Sequence, residues 1–344
     1  MQRRHFLRTA TCLSSAAALL PASSWAQTGK KALVHVKFTL DFKVTSQTSP
    51  FFLAASRGYY AEEGLDVQID VGAGSVASIT RVASGAYDMG LGDISSLIEA
   101  HASGTMPVQA VYQYYNRAPF TIIGRKDKGI TSSLDSLKGK KVAAAAVEAT
   151  RRCWPMVADQ QKLAEPFFDW VTTDFSARDN VVVRGDVDAA TYFHDSAISL
   201  FMRMPPEQLS VLSYADAGVH LYGNAVLASS KMLAEKPEVV RAFLRATQRA
   251  LVETLANPDA ALAAVRTREP LLRADQESAR WAITRTYLAN AETARVGLGH
   301  IDAAVLTRQI AQVGKTFALK QLPATEQIWN TAFLPAAVKH GGAA

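Results

Sequence analysis

Cysteine is almost absent from this sequence, with Cys12 and Cys153 the only two in 344 residues. Cys12 lies in an N-terminal stretch that we expect to be removed, so Cys153 is the single thiol of the mature chain. One thiol excludes an internal disulfide and a metal site built from several cysteines. We therefore expect the stability of the fold to come from its apolar core.

Motifs that carry catalysis are missing as well. The sequence contains no H-E-x-x-H zinc motif, no G-x-S-x-G nucleophile elbow and no Walker-type phosphate loop, and its histidines are dispersed. Gly72 and Gly74 begin like a dinucleotide fingerprint, but Ala77 stands where the third glycine is needed. We predict no catalytic residues, no metal and no cofactor, and a protein that is not an enzyme.

A hydrophobic run long enough to cross a bilayer is also lacking at the N-terminus. The uncharged stretch 9–22 is interrupted by two serines and a proline and falls short of the roughly 20 residues of a membrane span. It follows the pair Arg3-Arg4 and precedes Ser24-Trp25-Ala26, a small-x-small cleavage site. This pattern is typical of a twin-arginine export signal, so we predict that residues 1–26 are a signal peptide and that the protein is periplasmic.

The charge of the chain is weak and evenly spread. Its formal value of +6 falls to +3 once the three arginines of the predicted signal are removed. Lysine and arginine alternate with acidic residues along the C-terminal part, which indicates solvated helix faces and no nucleic-acid partner.

Short apolar segments alternate with helical patterns through the first two thirds of the chain, which predicts a mainly parallel sheet covered by helices. The predicted strands span residues 33–40, 66–71, 87–91, 108–114, 121–125, 141–145, 170–173, 189–192, 210–213 and 225–229. After Pro237 the spacing of apolar residues becomes helical, with further helices at 275–291 and 302–316.

The 318 residues that remain after the signal exceed the size of one hydrophobic core, so we expect two lobes. Polar, glycine and proline residues interrupt the strand pattern at 117–120 and 216–224, the two candidate crossings between lobes. We predict a discontinuous lobe 1 at 30–118 plus 222–344, and lobe 2 at 119–221.

The order ASRGYYAEEGLDVQI, then GAGS, then RVASGAYDMGLGD, at residues 55–93, resembles the periplasmic solute-binding proteins of ABC importers. The family takes up sulfonates, nitrate, taurine and thiamine-pyrimidine precursors, and the likeness runs from about residue 33 to 335. It implies an α/β, two-lobe, type II periplasmic-binding-protein fold with a hinge and an interlobe cleft. It also implies a small-molecule ligand, an inner-membrane ABC transporter permease as partner and a monomeric protein.

The ligand implied by this resemblance is a small anionic or aromatic solute: a sulfonate, an aromatic carboxylate or a thiamine-pyrimidine-like compound. Two alternatives stay open, a pyrimidine-synthase-like enzyme on the same fold and a sensory binding protein. The eukaryotic synthases of the family use a cysteine-rich motif, of which only Cys153 is present here.

Ligands of open α/β sheets bind beyond the carboxyl ends of the strands, where loops lead into helix N-termini that favour anions. This rule and the resemblance select loops at 41–51, 72–75, 92–95, 146–151 and 192–196, and Tyr114 at the first crossing. The candidate ligand-binding residues are Asp41, Phe42, Phe51, Gly74, Ser75, Asp93, Ser95, Tyr114, Thr150, Arg151, Trp154, Tyr192, His194 and Asp195.

Structural roles compete with ligand binding at several of these positions. Gly74-Ser75 and Thr150-Arg151 are the best anion sites, although Ser75 could simply cap a helix. Phe42 stands where the thiamine-precursor branch typically has a tryptophan, but it and Phe51 could equally be core. Asp195 could cap the helix that follows it.

Overall fold

The computed structural model describes residues 32–104 and 106–339. The predicted signal peptide at 1–26 lies outside the described residues, as do both ends of the predicted lobe 1. None of the helices in these two ranges is long and apolar enough to cross a membrane.

The ten predicted strands are confirmed, each within about two residues at either end. They are β1 (Val34–Thr39), β2 (Leu65–Asp70), β3 (Met89–Asp93), β4 (Val108–Gln113), β5 (Phe120–Arg125), β6 (Lys141–Ala144), β7 (Asp169–Thr172), β8 (Ala189–Phe193), β9 (Leu209–Ser213) and β10 (Asn224–Ser229).

Helices connect these strands and make up most of the chain after β10. The helices are α1 (Ser49–Ser56), α2 (Tyr59–Glu62), α3 (Ser75–Ala83), α4 (Ile94–Ala102), α5 (Ala149–Gln161), α6 (Arg178–Arg184), α7 (Ile198–Phe201), α8 (Ser230–Glu235), α9 (Pro237–Ala256), α10 (Asp259–Arg268), α11 (Ala274–Leu288), α12 (Ala291–Val296), α13 (Ala303–Thr316) and α14 (Thr325–Ile328). Pro237 takes the first turn of α9, where its missing N–H costs nothing.

The strands form two sheets of five, in the orders β2-β1-β3-β10-β4 and β7-β6-β8-β5-β9. We call the first sheet with its helices lobe 1 and the second lobe 2. Four of the five strands in each sheet run in the same direction, as expected of a mainly parallel sheet. Both sheets are nevertheless mixed, because β10 pairs antiparallel with β3 and β4, and β5 pairs antiparallel with β8 and β9. In each lobe, one strand begins at the boundary between the lobes, where the chain enters from the other lobe. Neighbouring strands of the same sheet end at this boundary, so the entering strand is antiparallel to them.

The two crossing segments lie side by side between the lobes. Ala118 donates its backbone N–H to the Leu221 carbonyl at 2.8 Å, and Gly223 donates to the Tyr115 carbonyl at 2.9 Å. A Cβ at Gly223 would lie 2.9 Å from the Tyr115 Cβ and 3.1 Å from the Ala118 Cα, so only glycine permits this approach. The residue-level boundaries at 118/119 and 221/222 stay a prediction.

The lobes share an apolar seam on one side of the cleft. Helix α5 of lobe 2 packs against α4 and α13, and one hydrophobic cluster includes Leu97 of α4, Val157 of α5 and Val313 of α13. Arg152 of α5 also pairs with Glu99 of α4. A second cluster, built around Phe38, Phe51 and Phe243, fills lobe 1 beneath β1.

Candidate ligand-binding site

A cavity lies between the lobes, beyond the carboxyl ends of β1, β6, β7 and β8. It encloses about 590 Å³ including its mouth, but the centre of a water molecule can occupy only about 40 Å³ of it, so the space is a narrow slot. The lining residues are Asp41, Phe42, Lys43, Gln47, Thr48, Gly74, Ser75, Tyr115, Glu148, Ala149, Phe175, Arg178, Phe193 and Ser196.

The glycine turn after β2 holds the Asp41-Phe42 loop in place. Gly72 donates its N–H to the Phe42 carbonyl at 3.0 Å, and Gly74 donates to the Asp41 carbonyl at 2.6 Å. A Cβ at Gly72 would lie 2.0 Å from the Leu40 carbonyl oxygen, so the two loops can cross only at a glycine. The Phe42 ring is thereby presented to lobe 2, where it meets the Phe175 ring edge to face at a centroid distance of 5.2 Å.

Two helices from opposite lobes begin at the cavity. Helix α3 starts at Ser75, and no side chain of the described residues caps its free N–H groups. Helix α5 starts at Ala149, again without a side-chain cap. Uncapped helix N-termini carry partial positive charge and attract hydrogen-bond acceptors and anions.

A buried ion pair forms the lobe 2 wall. Arg178 Nη1 donates to Glu148 Oε1 at 2.9 Å, and Glu148 Oε2 accepts from the Thr191 hydroxyl at 2.6 Å. Burial raises the pKa of Glu148, and the charge of Arg178 opposes that shift. The guanidinium stacks 4.0 Å from the centre of the Tyr192 ring, and its Nε has no hydrogen-bond partner among the described residues.

One carboxyl group of lobe 1, that of Asp41, lines the cavity, and a second, that of Asp93, lies just behind its wall. Asn224 Nδ2 donates to Asp41 Oδ2 at 2.6 Å, and burial raises the pKa of Asp41 to about 6. Asp93 pairs with Asn224 across the β3–β10 ladder and caps α4 through Ser96 N at 2.9 Å. Burial raises the pKa of Asp93 to about 7, and its Oδ2 has no partner among the described residues.

Four of the residues selected from the sequence line the cavity, namely Asp41, Phe42, Gly74 and Ser75. Four others lie just behind the wall. Tyr114 donates its hydroxyl to the Gln47 carbonyl at 2.6 Å, and Asp195 accepts from Gln47 and Tyr115 instead of capping a helix. The other two are Asp93, described above, and Tyr192, which lies beneath Arg178 and donates to Asp179 at 2.8 Å.

The remaining selected residues lie away from the cavity. Phe51 and Trp154 are buried in the cores of lobes 1 and 2. Ser95 accepts from Gln309 at 2.9 Å, and His194 Nδ1 lies 2.9 Å from the Tyr287 hydroxyl. The other two are Thr150, whose carbonyl accepts from Tyr214 at 2.9 Å, and Arg151, whose guanidinium stacks over Trp170 at 4.9 Å.

Sequence reasoning missed Phe175, Arg178, Glu148, Tyr115 and Phe193. The first two follow β7, a strand of lobe 2 whose carboxyl-end loop was not among those selected. Applying the strand-end rule to every parallel strand would have found them. Glu148 lies within a loop that was selected, but no sequence pattern marks it as the partner of Arg178, 30 residues away.

The curated relatives and solved structures most similar to this chain include both binding proteins and an enzyme. Riboflavin-binding protein RibY of Chloroflexus aurantiacus is 25% identical over 339 residues, covering 92% of this chain and 91% of its own. A 4-amino-5-hydroxymethyl-2-methylpyrimidine phosphate synthase of Aspergillus parasiticus is 28% identical over 244 residues, covering 66% and 68%. The Escherichia coli periplasmic aliphatic sulphonate binding protein SsuA superposes with a TM-score of 0.65 at 15% identity, covering 89% and 96%.

The likeness to SsuA confirms the two-lobe periplasmic-binding-protein fold expected from the sequence. Residues 45–261 match the family described as NMT1/THI5 like. That match spans 217 of the 344 residues, so this chain belongs to the NMT1/THI5-like family.

Proposed function

We propose that this chain is an exported solute-binding component of an ABC import system, which captures a planar aromatic solute between its lobes and delivers it to an inner-membrane permease. The observation that carries the proposal is a slot lined by aromatic rings of both lobes around a buried arginine with an unused donor. The N-terminal export pattern and the similarity to RibY support a periplasmic binding role.

The aromatic lining favours a flat ligand. Phe42 of lobe 1 and Phe175 of lobe 2 lie on opposite sides of the cleft, and Tyr115 meets Phe193 edge to face at 6.4 Å. A planar ring inserted here contacts both lobes only when they are together, so its binding favours the closed arrangement. Aromatic pairs of this kind contribute about 0.5–1.5 kcal/mol each beyond the area they bury.

The polar groups favour a ring with both acceptors and donors at its edge. Arg178 offers an unused N–H, and Glu148 compensates its charge, so a neutral carbonyl serves as well as an anion. The free amides of α3 and α5 favour acceptors too. Asp41, on the lobe 1 side, offers an acceptor to a ligand N–H. A heteroaromatic compound such as a flavin or a pyrimidine therefore complements the slot better than an aliphatic sulfonate.

A thermal-shift panel tests this ligand class. We expect riboflavin or 4-amino-5-hydroxymethyl-2-methylpyrimidine to raise the melting temperature, aromatic acids to do so less, and aliphatic sulfonates least. A compound at a hundred times its Kd adds about 2.7 kcal/mol to the free energy of unfolding. A panel in which only aliphatic sulfonates stabilise the protein would contradict the proposed ligand class.

The Phe175→Ala substitution should weaken binding of the stabilising compound at least tenfold, because it removes the lobe 2 ring that faces Phe42 across the slot. Tenfold corresponds to about 1.4 kcal/mol. Isothermal titration calorimetry measures the loss. Phe201→Ala is the matched control, since Phe201 is also a partly buried phenylalanine of lobe 2 but packs away from the cavity. Equal losses in the two variants would show that the effect is not local.

A pyrimidine phosphate synthase is the second candidate, favoured by the similarity to the Aspergillus enzyme. Cys153 is buried beside α4 and does not line the cavity, and Glu148 is held by Arg178 and Thr191. These contacts favour binding over catalysis. Formation of a pyrimidine phosphate by the purified protein would support the enzyme instead.

A further inference from the structure

Asp195 is a fully buried carboxylate of lobe 2 that binds groups outside its own lobe. It follows β8, and its Oδ1 accepts from Gln47 Nε2 at 2.5 Å. Its Oδ2 accepts from the Tyr115 hydroxyl at 2.5 Å and from the Thr284 hydroxyl at 2.9 Å. One side chain of lobe 2 thus ties together lobe 1, the first crossing segment and helix α11.

Two of these three donors line the ligand cavity, although Asp195 itself does not. Gln47 is held at its other side-chain atom as well, because the Thr45 hydroxyl donates to Gln47 Oε1 at 3.0 Å. The orientation of the Gln47 amide and of the Tyr115 ring is therefore set by bonds that end at Asp195. Asp195, which lies behind the cavity wall, therefore holds in place two side chains of the wall that a ligand would contact.

Helix α11 extends the same network across the interlobe boundary. Arg280 Nη1 donates to the Asp195 carbonyl at 2.7 Å and Nε lies 3.3 Å from Glu277 Oε2. That Glu277 oxygen accepts from the Ser46 backbone N–H of lobe 1 at 2.6 Å. The helix packs against the 3-10 turns Ser46–Thr48 and His194–Ala197, one from each lobe.

We propose that Asp195 is a positioning residue of the ligand cavity and that, together with α11, it forms a buried polar connection between the lobes, in addition to the two crossing segments and the apolar seam of α4, α5 and α13. The network is fully buried, so removal of the carboxylate leaves several donors without an acceptor in a region of low dielectric constant. Those donors regain partners by bonding water, which requires the lobes to separate on this side. Asp195 accordingly couples the position of the cavity wall to closure of the cleft.

The distance between the lobes, measured without ligand, tests this proposal. Spin labels at Val76→Cys on lobe 1 and Val147→Cys on lobe 2 report it, since both valines are exposed. Cys153 is buried and needs no replacement, and Cys12→Ser removes the other thiol. We expect a single distance distribution with Asp195 present, an added population at longer distance in Asp195→Ala, and a smaller added population in Asp195→Asn.

Asp179→Asn is the matched control, because Asp179 also accepts a tyrosine hydroxyl, from Tyr192 at 2.8 Å, but within lobe 2. It should leave the interlobe distance unchanged. If Asp195→Ala does not fold, the interlobe distance is measured in Thr284→Val and Asp195→Asn instead. Folded Asp195 and Thr284 variants with an unchanged distribution would overturn the proposal.

The effect on binding rests on the proposed function, with riboflavin as the probe. We expect Asp195→Ala to bind riboflavin at least tenfold more weakly than the unsubstituted protein does. If the unsubstituted protein does not bind riboflavin, the proposed ligand class loses its support while the distance measurement still decides the role of Asp195. An unchanged affinity in Asp195→Ala would overturn the positioning role.

Discussion

Replacing Arg178 by methionine is expected to lower the free energy of unfolding by about 3–5 kcal/mol, because it leaves Glu148 as a buried charge without its partner. Glu148 and Arg178 are both about 95% buried, and their bond spans 2.9 Å. Chemical denaturation at neutral pH measures the change. The double variant Arg178→Met/Glu148→Gln should recover much of the loss, since the remaining amide carries no charge.

Helix α6 supplies the control for that prediction. Arg184 ends the same helix and pairs with Asp186 at 2.5 Å, but both side chains are at least half exposed. Exposed pairs contribute about 1 kcal/mol or less, so Arg184→Met should be nearly neutral. A loss below about 1 kcal/mol in Arg178→Met, or a double variant no more stable than the single one, would contradict the role assigned to the buried pair.

Asp93→Asn is expected to stabilise the protein more strongly at pH 8 than at pH 5. The pKa of Asp93 is about 7 in the fold against an ordinary value of 3.8. Between these values the folded protein holds a proton that the unfolded chain has released, so stability falls as pH rises. At about 1.4 kcal/mol per pKa unit, the gain at pH 8 exceeds the gain at pH 5 by about 2–3 kcal/mol.

The asparagine introduced at position 93 can still cap α4 through its side-chain oxygen. Its N–H group can donate to Asn224 Oδ1, which has no partner among the described residues. Asp302→Asn is the control, because Asp302 caps α13 through Ala304 N at 2.9 Å but has its pKa lowered by a hydrogen bond from Arg295. It should lose stability at pH 8. Thermal melts of both variants at pH 5 and pH 8 give opposite signs at the higher pH. Equal gains for Asp93→Asn at both pH values would contradict the burial of an ionised carboxyl.

The strand positions could be predicted because each strand is a short apolar run between glycine, proline or polar residues. The reversed direction of β10 could not be predicted, since the alternation of strands and helices around β10 looks the same for either direction. Only the route of the chain through the crossings decides it. Ala118 and Gly223 mark that route, but the bonds they make join segments a hundred residues apart.

The candidate site was predictable on the lobe 1 side and largely not on the lobe 2 side. Gly74 and Ser75 follow a strand within residues 55–93, the segment that carries the family resemblance, and Asp41 and Phe42 follow the strand before that segment. Arg178 and Phe175 come after β7, an edge strand whose loop carries no distinctive motif. His194 and Asp195 show the remaining difficulty, since polar residues beyond a strand can face a ligand or a neighbouring helix, and here they contact α11.

The position of β10 fixes the order in which the chain can complete its two sheets during synthesis. Residues 224–229 lie between β3 and β4, so the sheet that begins at Val34 stays split until the ribosome has made all of lobe 2. The second sheet needs only residues 120–213 and can assemble first. Lobe 1, which contains the start of the fold, is therefore the last to complete its sheet. Until β10 is made, the edges of β3 and β4 are unpaired and can pair with the wrong strands, as exposed strand edges commonly do.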